Sequence, residues 1–324
     1  MNGISLIIPT YKRKLDFQRT LNSVSLQTHD IDEVITIIGP NDDDSYHLAM
    51  SFKSKILNLK VVQSDKASVV HALNLGLQKS SQAILCLTDD DIELPEGWAK
   101  RIKKAFETNP EMGAYGGPDK LISESHKELA YNPVKEVGIF KWHGMVGNHH
   151  LGIIDSPAVV DVIKGVNFSF RRHALDDLSI DTFLEDKGAE QCWEIDLIQK
   201  IQCNGYNVIY DNENFLYHYI SQRQQYDKRR DVFSTMNFTN GKNMAYVYAK
   251  FRPINEVLFI IFYGLFIGTK IHPGFVRSIT MIKAYGLKVL LLPFKHINAT
   301  FLGIFNGYKF RVQRTFFNKN KKRF

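Results

Sequence analysis

The stretch AILCLTDDDIELPEGW, residues 83–98, governs the interpretation of the whole chain. An apolar run typical of buried parallel strands ends abruptly in Asp89, Asp90 and Asp91. Adjacent carboxylates repel one another, and each costs free energy wherever it is partly removed from water. A solvated turn is one explanation, since acidic turns are common. The more specific explanation is a bound divalent cation, because Mg2+ and Mn2+ bind carboxylate oxygens and are commonly also bound by the phosphates of a substrate.

Length and composition are those of a folded protein. The chain has 324 residues, enough for one large domain or two, with 44% hydrophobic and 23% charged residues. Cys86, Cys192 and Cys203 form no CxxC pair, so we expect neither a disulfide framework nor a zinc site, and a reducing compartment fits. The first apolar run, ISLIIP at 4–9, is shorter than a signal-peptide core, which predicts a cytoplasmic protein.

The first part of the chain alternates between strand and helix patterns. Strands are predicted at 4–9, 33–39, 59–64, 83–88 and 113–117. Helical spacing follows the first strand, Ser68 is suited to cap a helix, and 95–107 reads as another helix. This alternation predicts an α/β fold with a mainly parallel, Rossmann-like sheet and flanking helices. Ligands bind such sheets at the carboxyl ends of the strands, where Thr10, the PNDDD turn (40–44) and the three aspartates fall.

The middle of the chain is less regular. The composition of WHGMVGNHH (142–150) suggests a loop that lines a cleft, and GVNFSFRR (165–172) alternates like a strand that returns to the sheet. AEQCWEIDLIQKIQCNGY (189–206) is predicted to be helical, with Trp193, Leu197 and Ile201 along one face. After His218 the pattern is mostly helical.

Four segments, in order between about residues 4 and 220, resemble family 2 glycosyltransferases of the GT-A fold. They are SLIIPTYKR (5–13), SDKASVVHALNLGL (64–77), LCLTDDDIEL (85–94), and GVNFSFRR with WEIDL (193–197) and a later His218. The resemblance implies a GT-A catalytic domain over 1–220. Nucleotide-sugar binding would occupy about 1–117, and the acceptor side about 118–220. Residues 221–324 are then a separate helical region.

The resemblance also implies a nucleotide-sugar site with Mn2+ or Mg2+. Asp91 and His218 are the expected metal ligands. Asp89 would face the ribose or the water shell of the metal, and the role of Asp90 stays open between the two. The family's early aspartate is replaced here by GPNDDDS (39–45), so Asn41 or Asp42 would contact the base. The residues expected to contact the donor are Pro9, Thr10, Tyr11, Asn41, Asp42, Lys66, Asn74, Asp89 and Asp90. His218 could instead be a packed core histidine, and Lys66 a solvated lysine.

The chemistry makes two demands on these residues. The leaving diphosphate must be neutralised, which a cation held by Asp91 would do. The acceptor hydroxyl must lose a proton to a carboxylate within hydrogen-bond reach. The resemblance points to Glu194, with Asp196 of the same motif also predicted to be catalytic, and an inverting displacement is implied. Glu190, one helical turn earlier, is the alternative base, and these acids could also be the wet face of an amphipathic helix.

The end of the chain is strongly basic and apolar. From Val257 to Phe324 there are twelve Lys and Arg and no Asp or Glu, which gives this end a formal charge of +12. The overall formal charge is +7, so residues 1–256 have a formal charge of −5. VLFIIFYGLFIGT (257–269) and LKVLLLPF (287–294) are shorter than the ~20 residues of a spanning helix. We therefore expect helices that lie on an anionic membrane surface, with a packed helical cap as the alternative. The apolar content argues against nucleic acid. Gly264 and Gly268 form a GxxxG, a weak signal for helix pairing.

The sequence thus predicts an inverting glycosyltransferase that moves a sugar from a nucleotide-diphosphate donor, UDP-sugar first, to a glycan or lipid-linked acceptor. Polysaccharide or glycolipid precursor synthesis on the inner face of the cell membrane is the expected setting, with the protein bound peripherally. One alternative is a sugar-phosphate nucleotidyltransferase, although PTYKRKLDF (9–17) lacks the glycine-rich loop of that class. The other is a non-catalytic membrane adaptor.

Overall fold

The computed structural model describes residues 3–123, 128–129, 133–142, 144–150, 152–186, 190–219, 231–269 and 272–321, without the side chains of 236 and 313–321. The chain forms two compact units. The sheet unit spans Met1–Phe140, Met145–Glu185 and Trp193–Gln222. The helical unit spans Lys141–Gly144, Asp186–Cys192 and Arg223–Phe324. Two short pieces of the predicted acceptor side, 141–144 and 186–192, therefore belong to the helical unit.

The strands follow the apolar runs of the sequence. In chain order they are β1 (Ile4–Thr10), β2 (Glu33–Ile38), β3 (Leu59–Gln63), β4 (Ile84–Leu87), β5 (Ile92–Glu93), β6 (Met112–Gly116), β7 (Asp119–Ile122), β8 (Ile139–Lys141), β9 (Gly144–Val146), β10 (Ala158–Val159), β11 (Phe168–Arg171), β12 (Asn207–Tyr210) and β13 (Leu216–Tyr219). The helices of the sheet unit are α1 (Lys14–Ser25), α2 (Asp43–Ser51), α3 (Val69–Lys79), α4 (Trp98–Thr108) and α5 (Trp193–Cys203).

The large sheet within the described residues has the order β10-β12-β6-β11-β4-β1-β2-β3. β1 runs parallel to β2 and β4, β2 to β3, and β6 to β12. β11 is antiparallel to both β4 and β6, and β10 to β12. A second sheet has the order β5-β13-β7. The predicted mainly parallel α/β sheet with flanking helices is confirmed, and the antiparallel insertion of β11 is what periodicity does not reveal.

Burial explains why the first strands are apolar without alternation. The hydrophobic residues of β1, β2 and β4 are almost fully buried, as expected for strands covered on both faces. α1 and α4 supply part of that cover through Phe17, Leu21, Trp98, Ile102 and Phe106. Because β1, β2 and β4 run parallel, their carboxyl ends lie at the same edge of the sheet.

Two helices begin later than the sequence pattern predicts. α4 begins at Trp98 rather than Pro95, and α5 begins at Trp193. In each case the preceding backbone is left-handed, with φ of +72° at Gly97 and +73° at Cys192, so a right-handed helix cannot extend through it. Ser68 caps α3 as predicted, accepting a hydrogen bond from the His71 N–H.

The helical unit contains α6 (Thr235–Phe251), α7 (Ile254–Phe266), α8 (Phe275–Tyr285) and α9 (Leu292–Lys321). α6 and α9 pack closely because α9 has no side chain at Gly303 and Gly307. A Cβ at Gly303 would lie 2.2 Å from the Lys242 carbonyl oxygen, and one at Gly307 would lie 2.5 Å from the Tyr246 carbonyl oxygen.

The weak GxxxG signal of Gly264 and Gly268 does not correspond to helix pairing among the described residues. A Cβ at Gly264 would meet no described atom within 4 Å, and Gly268 has a φ of +70° beyond the end of α7. Gly268 therefore serves a turn, where a left-handed residue is needed. Helix pairing in this unit uses Gly303 and Gly307 instead.

One helical stretch among the described residues, Leu287–Val312, is long and apolar enough to cross a membrane. The apolar run LKVLLLPF (287–294) is by itself shorter than a spanning helix. In the structure the short 3-10 helix Leu287–Leu291 leads directly into α9, so the run continues through 26 residues.

Candidate active site

The acidic cluster lies where β4 ends, at the carboxyl edge of the large sheet. Thr88 donates a hydrogen bond from its hydroxyl to the Val166 carbonyl (2.8 Å), which ties the end of β4 to the segment before β11. Asp90 and Asp91 are buried, and Asp89 is half-buried. The three aspartates are therefore held in place by secondary structure, unlike the side chains of a solvated turn.

Asp90 points toward the end of β1. It accepts a hydrogen bond from the Thr10 hydroxyl (2.7 Å) and pairs with the Arg13 guanidinium (2.7 Å). Burial raises the pKa of Asp90 to about 7, against the effect of the Arg13 charge. Through these contacts Asp90 supports the loop after β1. The donor contacts predicted for Thr10 and Asp90 stay predictions.

Asp91 lies between two cationic side chains. Arg13 Nη2 is 2.5 Å from Asp91 Oδ2, and His218 Nε2 is 3.3 Å from Asp91 Oδ1. Burial opposes ionisation of Asp91, but His218 and Arg13 outweigh it and lower its pKa to about 2. Burial also disfavours protonated His218, yet Asp119 and Asp91 raise its pKa to about 10. His218 is thus part of the acidic site and not a packed core histidine.

The side chains of Asp89, Asp91 and His218 suit a divalent cation. Each offers one ligand atom, and these three atoms lie within 4.8 Å of one another. Two carboxylates and one imidazole form a donor set suited to Mn2+ and compatible with Mg2+. Burial, together with the charge of Asp91, raises the pKa of Asp89, which shows how strongly the site disfavours a second uncompensated anion. A bound cation would remove that penalty.

A second cluster adjoins the first through His218. Asp119, at the start of β7, is fully buried and accepts from His218 Nδ1 (2.9 Å). The same Asp119 oxygen also meets Lys164 Nζ (2.5 Å) and His150 Nδ1 (2.8 Å). Burial would raise the pKa of Asp119, but its hydrogen bonds and these positive charges hold it well below its usual range.

Glu194 lies in the first turn of α5 and is half-buried. Burial raises its pKa to about 7, and the negative charge of Asp89 adds to the rise while that of Lys164 opposes it. A carboxylate whose pKa lies near neutrality is suited to accept and release a proton at physiological pH. Glu194 therefore has a near-neutral pKa and lies close enough to the acidic cluster to be repelled by the charge of Asp89.

Local packing explains the position of Glu194. A Cβ at Gly165 would lie 2.3 Å from the Trp193 ring, so only glycine lets that indole pack against this backbone. Asn167 next to it is fully buried, donating to the Asn214 carbonyl (2.5 Å) and accepting from the Trp98 indole (3.2 Å). The GVN segment thereby fixes the start of α5 against the sheet.

Asp196, the second residue predicted to be catalytic, does not join this cluster. It is fully buried and pairs with Lys200 one turn later (2.7 Å), and Lys200 also donates to the Ser179 carbonyl (3.0 Å). Two residues along a helix differ by about 200° in direction, so Asp196 and Glu194 face opposite ways. The structure supports a role for Asp196 in anchoring α5, and its predicted part in catalysis stays a prediction.

Asn74 has a structural role, and its predicted donor contact stays a prediction. Its amide nitrogen donates to the Ile180 carbonyl (2.9 Å), and its amide oxygen accepts from the Ile180 N–H (2.8 Å). Both ends of the amide are occupied by one residue of the main chain. Asn74 therefore ties α3 to the segment that precedes α5.

The loops after β1 and β2 are tied together by Asp42. Its carboxylate accepts from the Ser45 N–H (3.3 Å), which caps α2, and from the Lys12 N–H (2.5 Å). Asn41 is exposed and left-handed, with φ of +54°. Asp42 thus supports both loops, and the base contact predicted for Asn41 or Asp42 stays a prediction.

The remaining donor residues lie on the same edge of the sheet. Pro9 and Tyr11 flank the end of β1, and a Cβ at Gly39 would lie 2.3 Å from the Tyr11 ring. Lys66 has its ammonium 3.6 Å from Glu185 Oε2, with more than half of its side chain exposed. The donor contacts predicted for Pro9, Tyr11 and Lys66 stay predictions.

Glu190, the alternative base, belongs to the helical unit and precedes α5. It is buried and accepts a hydrogen bond from the Asp186 N–H (2.7 Å). Glu190 and Glu194 therefore do not share a helix face, because the left-handed Cys192 separates them. This removes the reason for which Glu190 was considered.

Four residues of the site were not singled out from sequence: Arg13, Asp119, His150 and Lys164. Arg13 is the last residue of SLIIPTYKR, Lys164 directly precedes GVNFSFRR, and His150 ends WHGMVGNHH, whereas Asp119 lies in none of these segments. Part of WHGMVGNHH does line the site, through His150, whereas Trp142 belongs to the helical unit.

Comparison with known proteins identifies a family that this chain resembles. Glycosyl transferase family 2 matches residues 5–178, more than half of the chain. Glycosyltransferase AglE of Haloferax volcanii is 31% identical over 101 residues, which are 30% of this chain and 33% of that protein. The match therefore spans about a third of the length of this relative.

Solved structures share the fold at low identity. GalNAc-T7 with UDP, GalNAc and Mn2+ has a TM-score of 0.62 at 16% identity, covering 82% of this chain and 50% of that one. Mannosyltransferase PcManGT from Pyrobaculum calidifontis, with GDP-Man and Mn2+, has a TM-score of 0.54 at 16% identity, and the match covers 96% of this chain and 87% of that one. S. aureus TarS 1-349 with UDP-GlcNAc has a TM-score of 0.53 at 15% identity, and the match covers 93% of this chain and 90% of that one. The ordered motifs, the GT-A sheet and the family match agree, and the chain belongs to glycosyl transferase family 2.

Proposed function

We propose that the protein is a metal-dependent, inverting glycosyltransferase that uses a nucleotide-diphosphate sugar. One observation carries the proposal: Glu194 lies close enough to Asp89, a member of the Asp89–Asp91–His218 cluster, for the negative charge of Asp89 to add to the burial that raises the pKa of Glu194 to about 7. This supports a proton acceptor next to a site for the leaving diphosphate. Transfer to an acceptor hydroxyl needs both.

The residues of this chain divide the work. Asp89, Asp91 and His218 would hold Mn2+ or Mg2+, which when bound supplies positive charge for the diphosphate. Glu194 takes the proton of the acceptor hydroxyl as that oxygen attacks the anomeric carbon. The bond from the anomeric carbon to the diphosphate oxygen breaks, and the sugar is transferred with inverted configuration. Arg13 orients Asp90 and Asp91 from the side of β1.

The donor follows from the structural neighbours by analogy. GalNAc-T7 was solved with UDP, TarS with UDP-GlcNAc and PcManGT with GDP-Man. A UDP-sugar is our first expectation and a GDP-sugar the second. Asn41 and Lys66 lie at the edge of the sheet where the nucleotide would bind.

A donor panel tests this function. Purified protein with Mn2+ is mixed with individual UDP-sugars and GDP-sugars, and the release of nucleoside diphosphate is measured with EDTA as the control. We expect metal-dependent release from one of them. Release of pyrophosphate from a nucleoside triphosphate and a sugar phosphate would instead show a nucleotidyltransferase. No turnover in either assay would favour the non-catalytic adaptor.

We also propose that the helical unit binds an anionic membrane surface. Along α7, large apolar side chains recur every four residues with about half of each exposed: Ile254 54%, Leu258 57%, Phe262 57% and Phe266 44%. Trp142, which is 66% exposed, makes an edge-to-face contact with Phe259 of α7, with the two ring centroids 4.8 Å apart. Exposed aromatic and aliphatic side chains in this number are typical of a surface that enters the lipid interface.

The charge of this unit complements anionic lipid. Exposed cations lie on α8, α9 and the segment between them: Lys283, Lys288, Lys295, Lys309 and Arg311. The sequence has no acid after Glu256 to offset them. The further cations predicted to contribute, 314 and 319–323, together with Lys270, lie outside the described side chains. We infer a glycan or lipid-linked acceptor at the inner face of the cell membrane, as in polysaccharide or glycolipid precursor synthesis.

A further inference from the structure

Asp119 is the most completely enclosed carboxylate of the site, and the mechanism above does not use it. Its side chain is fully buried, and one of its oxygens, Oδ2, meets three side chains: His218, Lys164 and His150. A buried carboxylate is tolerated only where positive groups surround it.

The two nitrogens of His218 face two different carboxylates. Nδ1 lies 2.9 Å from Asp119 Oδ2, whereas Nε2 lies 3.3 Å from Asp91 Oδ1. A histidine that donates its Nδ1 proton to a carboxylate is fixed in the tautomer whose Nε2 lone pair can bind a metal. The ring is also fixed in orientation, because both of its polar edges are occupied.

The small sheet builds this arrangement through the backbone. β13 lies between β5 and β7, and its residues Leu216 and His218 pair with Asp119 and Leu121 of β7. On the other side, the Tyr219 N–H donates to the Asp91 carbonyl (2.9 Å). Main-chain hydrogen bonds therefore set the spacing of Asp91, His218 and Asp119 before their side chains interact.

Asp119, His150 and His218 have the spacing of a cation site of their own, but Lys164 argues against that use. Its ammonium lies 2.5 Å from Asp119 Oδ2 and 3.2 Å from His150 Nε2, so a positive charge already occupies the position. His218 also cannot offer Nδ1 to a second cation while that nitrogen donates to Asp119. The cluster is thus better explained as the support of the first site.

We propose that Asp119 is a positioning residue that holds His218 with Nε2 directed at the metal, and that Lys164 keeps Asp119 in place. The inference rests on the proposed function, because it concerns the same cation. Groups that hold a metal ligand from behind commonly change metal affinity by about 10- to 100-fold when they are removed. Neither Asp119 nor Lys164 need touch the metal for this effect.

The test uses the full-length protein and Mn2+ alone. The variants are D119N, which keeps the size of the side chain, and D119A, which removes it, and free Mn2+ is measured by electron paramagnetic resonance. We expect the dissociation constant to rise about 10- to 100-fold in D119A and to a smaller extent in D119N. The matched control is E33Q, because Glu33 is also buried and paired with a lysine, Lys60, but begins β2 at the opposite edge of the sheet. E33Q should bind Mn2+ like the wild type.

A tautomer measurement separates positioning from loss of structure. The 15N chemical shifts of labelled histidine are recorded with Cd2+ bound, and His218 is identified by its disappearance in H218N. We expect protonated Nδ1 and metal-bound Nε2 in the wild type, and in D119N a mixture of rings bound through Nε2 and rings that are not bound to Cd2+. Wild-type Mn2+ affinity in both Asp119 variants, with His218 of D119N fully bound through Nε2, would overturn this inference alone. A wild-type protein that binds no Mn2+ would overturn it together with the metal role in the proposed function.

Discussion

Arg13 places a guanidinium nitrogen 2.5 Å from the carboxylate of Asp91, the residue expected to hold the metal. The charge of Arg13 thereby stabilises buried carboxylates that would otherwise repel one another. A divalent cation at Asp91 would interact with the same negative charge. Arg13 is consequently expected to favour the folded protein and to weaken metal binding at once.

Substitution R13M should separate these two effects. Without metal the melting temperature should fall, because removing one partner of a buried ion pair commonly costs about 3–5 kcal/mol of stability. Arg13 is partly exposed, so we expect its loss to cost no more than the low end of this range. The rise in melting temperature on adding Mn2+ should be larger than in the wild type. R101M is the control, since Arg101 of α4 donates to the Glu96 carbonyl. A smaller Mn2+ effect in R13M would contradict the competition.

Substitution E194Q should impair the chemical step and leave donor binding intact. The amide has nearly the same size as the carboxylate but cannot accept the proton, so kcat should fall by roughly 100- to 10,000-fold. Nucleotide affinity, measured by calorimetry with Mn2+, should stay within about twofold. E190Q is the matched control and should keep most activity. Low activity in E190Q with normal activity in E194Q would place the base in the helical unit.

The rate should depend on pH through Glu194. Burial raises the pKa of this carboxyl to about 7, so below pH 7 it is protonated and cannot act as a base. The logarithm of kcat should therefore rise from pH 5.5 and level off above pH 7.5. Steady-state rates across this range, with metal held saturating, check the midpoint. A profile that is already flat at pH 5.5 would mean that no near-neutral base limits the reaction.

Membrane binding should depend on the exposed face of α7. In L258S/F262S the two exposed side chains at the centre of the stripe become polar, so co-sedimentation with vesicles that contain anionic lipid should drop strongly. The control is K309A, which removes one cation and should have a small effect, since each contributes roughly 1 kcal/mol near an anionic surface. High salt should weaken wild-type binding without abolishing it. Binding that is absent at every lipid composition would favour a packed helical cap.

The sequence predicted the strands of the sheet and the edge on which the site lies, because buried parallel strands are continuous apolar runs. It also predicted Asp91 and His218 as neighbours, through the order of the motifs. The antiparallel β11 was not predicted, since strand direction depends on long-range pairing that local periodicity does not contain. The start of α5 was misplaced because nothing in the sequence reveals the left-handed Cys192.

Some residues of the predicted site also hold the fold together. Asn74 and Asp196 belong to motifs of the family, but the amide of Asn74 binds the main chain of Ile180 and Asp196 pairs with Lys200. A motif cannot distinguish a residue that contacts a ligand from one that holds the contacting residue in place. Asp119 shows the converse, since its role depends on three distant side chains that only the fold brings together.

Metal-dependent nucleotide binding by the wild type and D91A shows whether Asp91 holds a cation for the donor. Melting temperatures are recorded with UDP or GDP, with and without Mn2+, and E107A serves as the control because Glu107 is an exposed acid on α4. We expect one nucleotide with Mn2+ to stabilise the wild type and E107A, by about 2.7 kcal/mol at a hundred times the dissociation constant. D91A should lose the metal-dependent part while staying folded. Equal metal-dependent stabilisation of D91A and wild type would mean that Asp91 does not hold the metal.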